Sequence, residues 1–158
     1  MQPLRTYLGK SAGIISPEQN SMSQTTVILK SVGAVLAGLL FIGITHTATD
    51  AILESMGVLP KGNLHVSTGL ILVVIGYRAV LSLIGCYITA LLAPKNPVKH
   101  ALVLGIVGVL LSTAGAIATA NMNLGPSWYA WTLVVISLPI AWLGGKLYEL
   151  RSRPLASR

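Results

Sequence analysis

The stretch GLILVVIGYRAVLSLIGCYITALLA, from Gly69 to Ala93, is a long apolar run with an arginine, Arg78, near its centre. A membrane hydrocarbon core about 30 Å thick is crossed by about 20 helical residues. A charge at the centre of such a helix costs about 2.5–3.5 kcal/mol on insertion scales. The stretch therefore predicts a transmembrane helix whose arginine requires a partner, a water-filled cavity or a function.

Three further apolar runs in the chain are also long enough to cross a membrane. Of the 158 residues, 53% are hydrophobic and 9% are charged, whereas soluble domains carry about 25% charged residues. Because the connections are short, we predict an all-α transmembrane four-helix antiparallel up-down bundle. The predicted spans are Thr26–Thr47, Val66–Leu92, Ala101–Ala120 and Trp128–Leu147. They form one membrane domain, residues 25–150, between a polar tail at 1–24, expected to be disordered, and a basic tail at 151–158.

The lysines and arginines predict the orientation of the bundle. The net charge is +7, but the basic residues lie beside the spans, in the pattern that sets membrane topology, so nucleic acid is not the expected partner. The first connection has one lysine, Lys61, and the third has no charged residue. We therefore expect both termini in the cytoplasm of a bacterial inner membrane. The basic residues that flank the spans on the expected cytoplasmic side are Arg5, Lys10, Lys30, Lys95, Lys99, Lys146, Arg151, Arg153 and Arg158.

The start of the chain has no apolar core close enough to its basic residues for a cleavable signal peptide. The run MSQTTVILKS, from Met22, is typical of a natural start. One hypothesis is therefore that residues 1–21 are an upstream extension; the other is that they belong to the tail.

No catalytic or cofactor-binding motif is evident in the sequence. Cys86 is the single cysteine, which excludes an intramolecular disulfide and a thiolate metal site within one chain. No two histidines lie on different spans at matching depth, so haem is not expected. We predict no catalytic residue, no metal and no cofactor.

The third span carries a ridge of small residues at steps of three and four. Such a ridge lets another helix backbone approach closely. We expect it to be a helix-packing face within the chain, with a dimer face or a narrow pathway as the alternative. Its residues are Gly105, Gly108, Ser112 and Gly115.

A polar stripe on the first span is the most informative candidate site. His46, Asp50 and Glu54 follow one another at steps of four and so share one helix face. Asp50 lies about 15 Å along the helix from Pro60, and Arg78 about 21 Å from Leu64. That offset of about 6 Å is within reach of an arginine side chain.

We therefore predict a buried Arg78–Asp50 pair, with His46, Thr49 or Tyr77 completing its hydrogen bonds. One interpretation is an ion pair that fixes the register of the first two spans. The other is an anion or proton site in which Arg78 is the counter-ion, since a guanidinium suits carboxylate or phosphate.

Two segments, LLAPKNPVKHALVLGIVGVLLSTAGAIATA and GPSWYAWTLVVISLPIAWLGGKLYELR, resemble small uncharacterised bacterial integral membrane proteins with four spans. The shared features are a helix-ending LAP before a basic turn, a glycine-ridged third span and an aromatic entry to the fourth. The resemblance covers about the C-terminal half of the chain. It implies a bacterial inner-membrane location and a four-helix fold, and it implies no activity.

The sequence favours a non-enzymatic accessory, structural or assembly protein. Its expected partners are the lipid bilayer and either a second copy of the chain or another membrane protein. The alternative is an oligomeric small transporter or channel that uses Arg78, because four short spans rarely enclose a pathway alone. A membrane enzyme acting on lipid is a further alternative, which would depend on His46 or Asp50.

Overall fold

The computed structural model describes residues 17–122 and 124–152, with side chains from residue 24 onward. These residues form four helices: α1 (Pro17–Ser55), α2 (Thr68–Leu92), α3 (Pro97–Thr119) and α4 (Ser127–Ser152). All four are long and apolar enough to cross a membrane, with window mean hydropathies between 1.5 and 2.3. The structure confirms the prediction of an all-α protein with four helices of membrane-spanning length.

The helix α1 is longer than the predicted first span at both ends. It begins at Pro17, so residues 17–24, expected within the disordered tail, are helical. Proline is tolerated in the first helical turn, and residues 18–32 contain no glycine or second proline that would interrupt the helix. The helix ends after Ser55, where Gly57 takes a left-handed φ of +72°. The rest of the two predicted tails, residues 1–16 and 153–158, lies outside the described residues.

The ends of α2 and α3 follow from local capping and turn chemistry. The Ser67 hydroxyl accepts a hydrogen bond from the Leu70 amide at 3.4 Å and caps the start of α2. After Ala93 a short turn leads to Asn96, which has a left-handed φ of 49°, and Pro97 then occupies the first turn of α3. A tight turn of this kind places the end of α2 beside the start of α3.

The four helices are not equally connected within the described part of the chain. The contact between α3 and α4 is the most extensive, and α2 contacts all three of its neighbours. Helix α1 packs against α2 and α3 but has no contact with α4. Helix α1 is therefore the peripheral element, held mainly by α2.

The two ends of the bundle differ in how they are built. At one, which we name the connection end, the α1–α2 and α3–α4 connections meet through a hydrogen bond from the Leu64 amide to the Leu124 carbonyl at 2.6 Å. The other, the turn end, contains the α2–α3 turn and an edge-to-face contact of Tyr87 with Tyr148 at 5.6 Å between ring centroids. A cluster of buried residues lies toward the turn end, and its members are Cys86, Ala90, Ala101, Leu104 and Ala141. Ile71 and Val74 are also buried and lie on α2 nearer the connection end.

Candidate functional site

An ion pair between α1 and α2 forms the centre of the site. Arg78 Nη2 donates to Asp50 Oδ2, and the Tyr77 hydroxyl donates to Asp50 Oδ1. The Arg78 and Asp50 side chains retain 24% and 28% of their surface exposed. Each oxygen of one carboxylate thus accepts a hydrogen bond from one of two consecutive α2 residues, an arrangement that joins α1 to α2.

His46, one turn before Asp50 on α1, contacts the same segment of α2. Its Nε2 atom lies 3.1 Å from the Arg78 carbonyl oxygen and 3.4 Å from Ser82 Oγ. In the tautomer protonated at Nε2, His46 donates to that carbonyl. Arg78 is therefore held by its side chain through Asp50 and by its backbone through His46.

Thr49 is the one residue of the predicted polar site that the structure leaves outside these hydrogen bonds. Its side chain is half-buried, and within the described part of the chain it makes no side-chain hydrogen bond to the other members. It lies next to Asp50 in sequence, about 100° away around the helix, so it points to a different side of α1.

A cavity of about 810 Å³ lies at the connection end, and we name it the connection cavity. All four helices and both connections contribute to its wall. Asp50 and Arg78 are part of the lining, so the ion pair is reachable from this space. The other polar side chains of the wall are Glu54, Asn63, Ser112, Thr119, Asn121, Ser127 and Tyr129.

A second, smaller pocket of about 230 Å³ lies farther toward the turn end, and we name it the middle pocket. Its polar lining includes His46, Ser82 and Ser137. Three residues line both spaces: Arg78, Ser112 and Leu133. These three residues therefore form the boundary between the connection cavity and the middle pocket.

Two buried polar atoms, on residues that line the connection cavity, have hydrogen-bonding capacity that no described group uses. They are Arg78 Nε and the Tyr129 hydroxyl, each buried without a partner in residues 24–122 and 124–152. Tyr129 and Arg78 both line the connection cavity. Since buried polar groups in proteins are normally satisfied, both atoms are exceptions within the described part of the chain.

Tyr129 is a member of the site that the sequence did not reveal. It belongs to the aromatic entry of the fourth span, between Trp128 and Trp131. Those two tryptophans are 41% and 50% exposed, whereas the Tyr129 hydroxyl is buried. The sequence did contain a signal, because Tyr129, Leu133 and Ser137 are spaced four residues apart and so share one face of α4. Tyr129 lines the connection cavity, Ser137 lines the middle pocket, and Leu133 lines both.

The small-residue ridge of α3 has two different surroundings along its length. A Cβ at Gly105 would lie 2.5 Å from Ala141 Cβ, so Gly105 packs directly against α4. At Gly108 the nearest contact, Ser137 Oγ, is 3.8 Å away, and at Gly115 nothing lies within 4 Å. Ser112 and Gly115 line the connection cavity instead. The ridge predicted as a packing face is thus a packing face near the turn end and a cavity wall near the connection end.

Metal binding finds no support in the described residues. In residues 17–122 and 124–152 no three His, Cys, Asp or Glu side chains group closely enough to hold a metal ion. Cys86 is buried in the core, near the α4 backbone. The polar groups that line the two spaces are one guanidinium, two carboxylates, one imidazole, two carboxamides and several hydroxyl groups.

The four apolar helices indicate the class of a multi-pass membrane protein, with a polar cluster between α1 and α2. Comparison with protein-family models, curated proteins and solved structures finds no match to the chain. Function therefore has to be inferred from the residues at the two cavities.

Proposed function

We propose that this protein is a non-enzymatic membrane protein that takes up a small solute in the connection cavity, as a small transporter or channel does. The observation that supports the proposal is the shared boundary, at which Arg78 lines both the connection cavity and the middle pocket. Ligand sites in proteins occupy about 300–1,000 Å³, and the larger space falls in that range.

The Arg78–Asp50 pair is the gate in this proposal. With Arg78 bound to Asp50, the guanidinium stands where the two spaces adjoin. A solute passing from one space to the other requires that side chain to move. Charged residues inside a membrane commonly mark such pathways, because their insertion cost has to be offset by a role.

The proposed orientation is an antiparallel up-down bundle in a bacterial inner membrane, with both termini cytoplasmic. Two contacts support it: the hydrogen bond between Leu64 and Leu124, and the approach of Gly145 to Val98, where a Cβ would lie 2.9 Å from the Val98 Cα. The basic residues Lys95 and Lys99 lie at the turn end, which is cytoplasmic in this proposal. A fluorescent-protein fusion after Arg158 is expected to fluoresce, and alkaline phosphatase inserted after Lys61 is expected to be active.

Assembly with a second copy, or with another membrane protein, is part of the proposal. Helix α1 has no contact with α4 within the described residues, so four helices of this arrangement enclose the path incompletely. A partner helix along α1 would close it. Native mass spectrometry of protein released gently from its own membrane tests this, and a monomer without bound mass contradicts it.

The test of the pathway is the chemical accessibility of single cysteines. In a Cys86→Ser background, Ser112→Cys places a thiol on the wall of the connection cavity, and Val135→Cys places one on the outside of α4, where the side chain is 71% exposed. A charged, membrane-impermeant methanethiosulfonate added at the connection end should modify Ser112→Cys at least tenfold faster. Equal, slow modification of both variants would show that water does not enter the cavity, and the proposal would be wrong.

The gate is tested by a third cysteine in the middle pocket. Gly108→Cys lies on the lining of that pocket and not of the connection cavity. We expect it to be unreactive when Arg78 is present and to become reactive when Arg78→Ala is added. Reactivity that is unchanged by Arg78→Ala, in protein that elutes as a single species, would remove Arg78 as the gate.

The second candidate function is that of an accessory or assembly partner, in which the ion pair is a clamp. The observation that favours it is that Asp50 uses both carboxylate oxygens within the cluster, on Arg78 and Tyr77. In this case Ser112→Cys stays unreactive, and the native mass spectrum contains a stoichiometric protein partner.

A further inference from the structure

The connection cavity carries an excess of negative charge. Its charged lining residues are Asp50, Glu54 and Arg78, so two carboxylates face one guanidinium. Lys61, in the neighbouring connection, is exposed and is not part of the wall. The lining has a formal charge of −1, which favours a cation over an anion.

Glu54 is the carboxylate that supplies this excess charge. Asp50 is compensated by Arg78 and Tyr77, whereas Glu54 has no ion pair in the described part of the chain. Its one protein hydrogen bond there is from the Gly62 amide to Oε1, at the long distance of 3.5 Å. Glu54 lies one turn beyond Asp50 on the same face of α1, toward the connection end, and its side chain is half-buried.

The anion interpretation of Arg78 conflicts with this arrangement. The Nη2 atom of Arg78 already donates to Asp50, so an anion at Arg78 would lie beside a carboxylate that offsets the guanidinium charge. It would also approach Glu54, a like charge, in the same cavity. Both effects weaken anion binding.

The rest of the wall suits an apolar and aromatic body. Leu64, Leu124 and Trp131 line the cavity beside Tyr129. Aromatic faces attract quaternary and protonated amines, and the attraction is stronger in partly desolvated sites. Carboxylates together with apolar and aromatic groups in one lining match a solute with a positive charge and a hydrocarbon part.

We infer that the connection cavity binds an organic cation, a protonated or quaternary amine with an apolar group, whose positive charge lies at Glu54. The inference depends on the proposed uptake of a solute in the same cavity. It adds the charge and class of that solute and the residue that recognises it.

The test uses two probes of similar shape and opposite charge, benzyltrimethylammonium and phenylmethanesulfonate. Calorimetric titration of the full chain in maltoside micelles should give saturable binding of the cation and none of the anion. Glu54→Gln should weaken cation binding at least tenfold. The matched control is Glu149→Gln, which removes a carboxylate that pairs with Lys146 on α4 and is absent from the cavity wall; it should leave binding unchanged.

A steric variant separates binding in the cavity from adsorption to the protein surface or the micelle. Gly115 lines the cavity, and a Cβ there meets nothing within 4 Å, so Gly115→Leu should fill space without straining the fold. We expect it to abolish cation binding while the elution volume and thermal stability stay as in the wild type.

The outcomes distinguish this inference from the proposed function. Binding of the anion in preference to the cation would overturn the organic-cation inference and leave solute uptake standing. Cation binding that neither Glu54→Gln nor Gly115→Leu weakens would also overturn it. Failure of both probes with a reactive Ser112→Cys overturns the cation inference alone, and failure of both probes with an unreactive Ser112→Cys overturns both proposals.

Discussion

The two ends of this bundle are stabilised by different interactions, and their glycines make the difference visible. At the turn end Gly38, Gly85, Gly105 and Gly144 lie so close to a neighbouring helix that an added Cβ would overlap it, whereas Gly33, on the same half of α1, has nothing within 4 Å. Toward the connection end Gly43, Gly69, Gly76 and Gly115 have nothing within 4 Å, and a Cβ at Gly125 would lie 3.0 Å from Leu64 Cβ, where the two connections meet. In one half, close packing of backbones holds the helices together; in the other, a charged cluster joins α1 to α2 beside a cavity.

The difference matters because lipid gives no hydrophobic drive for helices to associate. Packing at the turn end needs only complementary surfaces, so that half can be apolar and rigid. A cavity at the connection end forfeits such contacts, and the Asp50 cluster compensates by hydrogen bonds across α1 and α2. The half with the weaker packing is thus also the half with the polar chemistry.

The largest effect is expected from Arg78→Ala, which leaves Asp50 partly buried without its cation. Breaking such a pair costs about 3 kcal/mol, at the lower end of the range because both side chains keep about a quarter of their surface exposed. The free energy of unfolding in mixed micelles with sodium dodecyl sulfate measures it. The double variant Arg78→Ala/Asp50→Ala should recover part of the loss. An Arg78→Ala protein as stable as the wild type would mean that the cluster does not hold the connection end.

The next effect concerns the turn end, where Gly144→Ala should destabilise the protein by about 2 kcal/mol. The new Cβ would lie 2.8 Å from Cys86 Cβ and 2.9 Å from the Leu83 carbonyl oxygen, so backbone has to move. The same unfolding measurement applies. Gly115→Ala is the matched control, and its stability should equal that of the wild type. If both variants lost the same free energy of unfolding, the two ends would not differ in backbone packing.

A smaller effect is expected from Tyr77→Phe, which removes one of the two hydrogen bonds to Asp50 and keeps the ring. A hydrogen bond to a charged group contributes about 1.5 kcal/mol. Unfolding of the single variant and of Tyr77→Phe combined with Asp50→Ala gives the coupling between the two side chains. If the two losses are simply additive, Tyr77 acts by packing and not through the carboxylate.

The smallest effect is expected from Thr89→Val, at the turn end. Thr89 is fully buried, and its hydroxyl has no hydrogen-bond partner among the described residues. Replacing it by an isosteric methyl should change the free energy of unfolding by less than about 0.5 kcal/mol or raise it, because no hydrogen bond is lost. A marked loss of stability would show that polar interactions also support the turn end.

The sequence predicted the existence of the four helices because each carries an apolar run long enough to cross a membrane. It was less informative about α1, which begins at Pro17 within a segment that is polar enough to suggest a tail. The polarity of a segment predicts whether it lies in lipid, but not whether it is helical. Continuous helices extend past a membrane wherever no glycine or proline interrupts them.

The approach of Arg78 to Asp50 follows from counting helical rise back from the connection, since both residues belong to one helical hairpin. The fate of the α3 ridge could not be derived in that way. Whether Gly105 or Gly115 packs against a neighbour depends on which α4 residue lies opposite. Ala141 lies opposite Gly105, whereas Gly115 lines the connection cavity. Tyr129 posed the same difficulty, because an aromatic residue near a helix start fits an interface and a cavity wall equally well.

The pairing of Arg78 with Asp50 has a consequence for how the chain enters the membrane. Asp50 leaves the ribosome 28 residues ahead of Arg78 and lies in the adjacent helix. When α2 reaches the lateral opening of the translocon, Asp50 has already been synthesised, so Arg78 can enter lipid paired with its carboxylate, and the pair has no net charge. The hairpin of α1 and α2 thus contains both members of the ion pair that lowers the cost of inserting a charge, and α3 and α4 are not required for that step.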